Sequence, residues 1–159
     1  MEEQIMNMPA VALRGLTILP GMIAHFDISR ERSLRAVEEA MEQDQKIYLV
    51  TQRNVDSEDP TQEDLYQMGI VADIKQVVRL QNDVVRILVD GISRAALLGF
   101  TDNEKYLEAE ICYCDSNADS LPEDLREAML LGVREAFHRY AAVVGKISKE
   151  LIRQIDQYE

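Results

Sequence analysis

The sequence predicts an α+β chain, mainly β, that ends in helices. Three observations lead there. Apolar and polar residues alternate with period two in several segments before residue 115. Two long alternating runs flank Gln81-Asn82-Asp83, a connection whose Asn and Asp tolerate turn dihedrals. Beyond that region the apolar residues recur at helical spacing. The expected organisation is a β domain over residues 1–116 and a helical segment over residues 117–159.

Val11-Ala12-Leu13-Arg14 reads as a short strand. Leu19-Pro20-Gly21 punctuates the chain as a turn. From Met22 to Ile28 the pattern alternates, with Met22, Ala24, Phe26 and Ile28 on one face and His25 and Asp27 on the other. A helix follows. Ser29 is its expected N-cap, Glu31 suits the first turn, and Leu34, Val37 and Met41 form its apolar stripe. It should stop near Gln43-Asp44. Lys46 to Thr51 is rich in strand formers and expected to be buried on both faces.

Asn54 to Asp64 is an acidic, solvated loop without the ligand spacing or central Gly of a calcium site. Thr61 and Asp64 resemble a capping box that opens one short turn at Leu65-Tyr66. Gly69–Leu80 and Val84–Leu98 form the hairpin arms, and Gly91 should bend the second so that it serves two sheets. In Tyr106–Cys114, Leu107, Ala109, Ile111 and Tyr113 face one way, with Glu108, Glu110, Cys112 and Cys114 opposite. Ser120 to Glu123 reads as a capping box with Pro122 in the first turn. Leu125, Met129, Val133 and Phe137 lie on a stripe that needs a packing partner. Gly145 should stop that helix, and Ser148 should cap another.

Composition narrows the function. The chain has 159 residues, 17 Lys+Arg and 29 Asp+Glu, for a net charge of −12, and 47% hydrophobic residues. The apolar share supports a packed domain. The negative charge disfavours binding to nucleic acid or anionic membranes. No apolar run approaches the roughly 20 residues that span a bilayer. The acidic start, Met1-Glu2-Glu3-Gln4, lacks the basic region of a targeting peptide, so a cytoplasmic location is expected. Cys112 and Cys114, two residues apart, are expected to stay reduced.

Little in the sequence supports catalysis. It contains no P-loop, no G-x-G-x-x-G and no G-x-S-x-G. His25 and His138 lie far apart with no ligand-spaced partner, so no metal is expected. Paired acids such as Glu108 and Glu110 read as solvated faces. What stands out is the cluster of apolar side chains around the first turn: Leu16, Ile18, Leu19, Pro20, Met22 and Ile23. Two readings are open for it, part of the core or an adaptable greasy patch for other polypeptides.

The order of motifs resembles the N-terminal, substrate-binding domain of the Lon ATP-dependent protease. The matching blocks are Leu13-Arg14, Pro20-Gly21-Met22, Arg30-Glu31 and Ser33; then Ala36 to Met41, Ile47-Tyr48-Leu49-Val50 and Gln52. Pro60-Thr61, Asp64-Leu65-Tyr66, Gly69, Val71-Ala72 and Ile74 follow. Leu88-Val89-Asp90-Gly91, Arg94-Ala95, Tyr106 and Glu108-Ala109-Glu110 complete the series. Two departures stand in the first block: Ala12-Leu13-Arg14-Gly15 replaces the family's Pro-Leu-Arg-Asp, and His25 replaces a second Pro.

The resemblance implies a PUA-like β-barrel of about six strands with one helix, followed by the start of a C-terminal helical bundle cut short at Glu159. It also implies a non-catalytic module that needs no cofactor of its own. ATP, Mg and a Ser-Lys protease site would belong to the remainder of the subunit. The implied partners are unfolded or damaged polypeptides, contacted through Leu19, Pro20, Met22 and Ile23, and the rest of a Lon homo-hexamer. The alternative is an assembly role for the Leu125, Met129, Val133 and Phe137 stripe. PUA-like barrels in other families bind RNA, and the acidic charge argues against that here.

Overall fold

The described residues form six strands and three α-helices: β1 (Ile5–Leu13), β2 (Ile23–Ile28), α1 (Glu31–Glu42), β3 (Lys46–Thr51), β4 (Met68–Arg79), β5 (Val85–Phe100), β6 (Glu108–Tyr113), α2 (Glu123–Val144) and α3 (Lys149–Asp156). They are seen in a computed structural model that describes residues 5–114 and 121–158. The chain divides into two compact units, Met1–Asp115 and Ser116–Glu159. The first is mainly β, as expected.

Its strands pair in the order β2-β5-β4-β3-β1-β6, and β5 pairs again with β6. Five strands therefore close into a ring, and β2 hangs outside it on β5. Every pairing is antiparallel except β1 with β3, whose parallel crossover carries β2 and α1.

Ring closure depends on two strands that change partner. The first half of β5, Val85–Asp90, pairs with β2, and its second half, Ala95–Phe100, pairs with β6. The change falls at the expected bend, where the β4–β5 register slips between Val71 and Ala72, opposite Ser93 and Gly91. β1 does the same. Ile5–Pro9 pairs with β6 and Ala10–Leu13 with β3. Pro9 has no N–H to give a ladder and stands at the point of exchange. The strand expected at Val11–Arg14 thus begins six residues earlier, at Ile5.

β3 separates two apolar clusters. Ile47 and Leu49 join one, with Val11, Ile74, Ile87 and Val89; Tyr48 and Val50 join the other, with Leu97 and Ile111. Burial on both faces is why this strand reads as a continuous apolar run. The hairpin turns at Asn82 and Asp83, both at positive φ (60° and 56°), and Leu80 N–H bonds Val84 O at 2.8 Å.

Some local expectations need correction. The N-cap of α1 is Arg30, not Ser29: Arg30 is extended (φ −70°, ψ 132°) and its carbonyl accepts the Leu34 N–H at 3.0 Å. The buried face of α1 is Ser33, Ala36, Val37 and Ala40, whereas Met41 is exposed. Small side chains bring the helix close to the sheet, which rotates the long Met outward. The Thr61–Asp64 capping box is present, but its turn is Gln62–Asp64, and Leu65 has already returned to extended backbone. In the second unit Pro122 is the N-cap of α2 rather than a first-turn residue, and the expected Ser120 cap lies outside the described residues. Gly145 ends α2 at φ 64°, and Ser148 caps α3 by accepting Leu151 N–H at 3.2 Å.

Candidate functional site

Leu19-Pro20-Gly21-Met22 is a tight turn closed by Met22 N–H on Leu19 O at 3.1 Å, with Gly21 at φ 75°. Pro second and a positive-φ Gly third are the residues a type II turn requires. Two further bonds seat the turn on the bend of β5: Gly21 N–H to Gly91 O at 2.7 Å, and Gly91 N–H to Met22 O at 2.9 Å. The backbone is thus fixed, and its side chains point outward. Leu19 is 58% exposed, Met22 38% and Ile23 68%; Pro20 is also exposed. Ile18 is buried in the core and Leu16 is half-buried against it. The six apolar residues of the cluster therefore divide, two toward the core and four toward solvent. Ile92, next to the Gly91 seat, is exposed as well. Such a patch binds without demanding a particular sequence, because apolar contact is not directional.

The helical stripe is likewise uncovered. Leu125, Met129 and Val133 are exposed and Phe137 is half-buried. Leu131 and Val143 are exposed too, so the apolar surface of α2 extends beyond the expected stripe.

A cleft of about 540 Å³ opens beside β2. Its walls are the Phe26–Ile28 end of β2, the Val11–Arg14 end of β1, the first turn of α1, and Glu58–Pro60 from the acidic loop. Sequence reasoning passed over its three arginines. Arg14 Nη2 donates to Ser57 O at 3.2 Å, and Arg30 Nη2 to Gln52 Oε1 at 2.7 Å. Arg32 reaches Asp59 Oδ1 at 3.4 Å and Asn103 O at 3.3 Å. Buried Gln52 donates in turn to Asn54 O and Ser57 O, both at 3.0 Å. The acidic loop is therefore tied to the β unit by cations. Desolvation, and the like charge of Arg14, hold the Arg30 guanidinium below its ordinary pKa, against the opposing pull of Asp59 and Glu58. Arg14 and Arg30 stand in the motif blocks, and that position was the only sequence signal for them.

His25 is exposed on β2, and His138 bonds Asp156 at 2.7 Å in the other unit. Among the described residues no three His, Cys, Asp or Glu side chains gather as a metal site would require. No helix among them is long and apolar enough to cross a membrane.

Residues 7–159 match the family model described as the ATP-dependent protease La (LON) substrate-binding domain. The chain is 38% identical over 156 residues to the Lon protease of Lachnoclostridium phytofermentans, covering 98% of this chain and 19% of that protein. It is 31% identical over 158 residues to Lon protease 1 of Bacillus subtilis, covering 99% of this chain and 20% of that protein. The chain thus spans about a fifth of the length of these relatives. In fold it is similar to the N-terminal domain of a Mycobacterium avium complex Lon protease, with TM-score 0.72 at 16% identity over 96% of this chain and 76% of that one. A Lon N-terminal domain protein from Xanthomonas campestris gives TM-score 0.57 at 16% identity, covering 82% of this chain and 72% of that one.

Proposed function

Because the chain belongs to the family of ATP-dependent Lon protease substrate-binding domains, we propose that it is a non-catalytic module that recognises and holds unfolded or damaged polypeptides. The rest of a Lon subunit, working as a cytoplasmic hexamer with ATP and Mg, then cleaves them at a Ser-Lys site. The observation that carries this reading is the seated turn whose Leu19, Pro20, Met22 and Ile23 side chains face solvent. A folded protein hides its apolar residues and an unfolded one shows them. A rigid apolar turn therefore discriminates by folding state rather than by sequence. The acidity of residues 1–115, which hold 21 acidic and 11 basic side chains, weighs against RNA as the ligand.

Fluorescence anisotropy of the 159-residue chain with a reduced, carboxymethylated protein tests the reading. Replacing Leu19, Met22 and Ile23 together by Ser should weaken binding about tenfold or more, since each apolar side chain buried is worth about 1.5–3 kcal/mol at most. The thermal midpoint should hold, because these side chains are exposed. Unchanged affinity removes the turn as the contact.

A second reading is supported by the exposed Leu125, Met129 and Val133 of α2. We propose that this surface packs against the helical remainder of the subunit and supports hexamer assembly. Sedimentation of this chain beside a longer Lon chain tests it, with replacement of Met129 and Val133 by Ser expected to lower the longer chain's oligomeric state. No effect there discards the assembly role.

A further inference from the structure

Among the described residues β2 ends the sheet order with β5 as its one strand neighbour, whereas β6, at the other end of the order, pairs back onto β5. Its Met22 carbonyl accepts from Gly91. By the alternation of an antiparallel ladder, the amides of Ala24, Phe26 and Ile28 then face β5, and those of Ile23, His25 and Asp27 face away. The other side of β5 agrees: Val84 O accepts from Leu80, which turns the even-numbered residues of that arm toward β4 and the odd ones toward β2. Asp27 and Arg86 lock the β2–β5 register with two bonds of 2.7 and 2.9 Å. Among the described residues the outward edge of β2 therefore has no strand partner, and its register on β5 is fixed.

The cleft opens beside the Phe26–Ile28 end of this edge. Phe26, Asp27 and Ile28 form one of its walls, with apolar Leu16 nearby and Arg14 and Arg30 beside them. Those two arginines bond neutral oxygens only. Among the described residues neither has a carboxylate within ion-pair distance, although the unit is rich in acids. The first turn of α1 opens into the same space, and its N-cap lends no side chain to the amides there. Backbone donors and acceptors, apolar surface and two guanidiniums that lack a carboxylate at ion-pair distance thus meet in one groove, which Asp27, Glu31, Glu58 and Asp59 also line.

We propose that an extended polypeptide segment adds as a strand to the open edge of β2, pairing its backbone with Ile23, His25 and Asp27 and setting an acidic side chain against Arg14 and Arg30. The proposal rests on the reading that this module holds unfolded chains, and it names how. Strand addition uses main-chain bonds that every sequence possesses, which suits an unfolded partner. Ile23 belongs both to the exposed patch and to the edge, so one segment can engage both.

The test uses the isotope-labelled 159-residue chain and a nine-residue peptide with Leu at alternate positions and one central Glu. Saturating peptide should slow amide exchange at residues 23, 25 and 27 at least tenfold and leave residues 24, 26 and 28 as they were. Methylating alternate peptide nitrogens should abolish binding. Exchanging the peptide Glu for Gln should weaken binding several-fold, and Arg14→Gln should reduce that difference. Binding without protection at 23, 25 and 27, or undiminished binding of the methylated peptide, overturns strand addition while the proposed function stands. Equal affinity for the Glu and Gln peptides overturns the acidic contact. Failure to bind the peptide or an unfolded protein overturns both the inference and the proposed function.

Discussion

The carbonyl oxygen of Leu19 fills the space that a side chain on residue 91 would need: a Cβ built on Gly91 would lie 2.4 Å from it. Ile70 Cδ1 would be 2.8 Å away on another side. The exposed turn and the bend of β5 are thus fitted to each other through a bare glycine. Because the obstacle is backbone, it cannot swing aside as a side-chain tip would. Gly91→Ala should destabilise the first unit by about 1–3 kcal/mol, the usual cost of overpacking, and should shift the amide resonances of residues 19–23. Urea unfolding and two-dimensional NMR check both. An unchanged midpoint would mean that the turn yields freely and is not fixed by its seat.

Tyr48 is fully buried, and its hydroxyl donates to Ala95 O at 3.0 Å across the second cluster. Tyr48→Phe leaves that carbonyl without its partner and should cost about 1–3 kcal/mol at neutral pH. Burial pushes the phenol pKa well above its ordinary value near 10. The folded state therefore keeps a proton that the unfolded chain releases in strong base. The stability tied to this group is complete below about pH 10, the unfolded value, and is lost progressively above it. Stability measured between pH 9 and 11.5 should fall more steeply for the native chain than for Tyr48→Phe. Parallel slopes would count against an isolated, uncharged phenol at this position.

Local signals carried much of this architecture. Alternation located β2, β3 and the hairpin, and Gly91 marked the bend because only a residue without Cβ fits there. The closed ring was legible only through the motif series that resembles the Lon N-terminal domain, since β1 lying between β3 and β6 is a pairing between distant segments that no local period encodes. Pro9 hid the first half of β1, because a proline normally argues against an interior strand. Met41 misled as an apolar helix residue, and Ser33 took the buried position because close packing selects size over hydrophobicity. For the site, Leu19 and Met22 were legible as apolar residues on a turn, but their exposure was not. The cleft joins β1, β2, α1 and a loop, so Arg14 and Arg30 meet only after folding.

Lys46 on β3 stands opposite Asp73 on β4 and bonds it at 2.9 Å, while Lys75 bonds the other carboxylate oxygen at 3.1 Å. Hydrogen bonds from Lys46 and then Lys75 hold the Asp73 carboxyl below the usual carboxylate range. Asp90 stands opposite Asp73 on its other side, so part of the lysines' attraction offsets a like-charge pairing. These partly exposed pairs are worth under about 1 kcal/mol. Asp73→Asn should therefore cost less than that at pH 7. A depressed carboxyl stabilises above its unfolded pKa near 3.9, and that contribution disappears as pH falls through the lower folded value. The difference between the two proteins should shrink below about pH 4 and with added salt. A cost that persists at pH 2 would identify packing, not charge, as the cause.

The helices of the second unit depend on their ends more than on burial. Among their described residues only Ala141 is buried, so little apolar surface rewards helix formation. End signals then carry a larger share. Gly145 sits at φ 64° with open space where a Cβ would stand, so only backbone strain opposes a side chain there. Gly145→Ala should cost about 1 kcal/mol, and Gly145→Asn less, because Asn tolerates this region. Ser148→Ala removes the hydroxyl that accepts Leu151 N–H and should also cost about 1 kcal/mol. Amide exchange separates these effects from the first unit. Leu151 and its neighbours should exchange several-fold faster in Ser148→Ala, while the amides of β3 keep their rates. Acceleration in both units together would show that α3 is stabilised by tertiary contact, and that its cap is incidental.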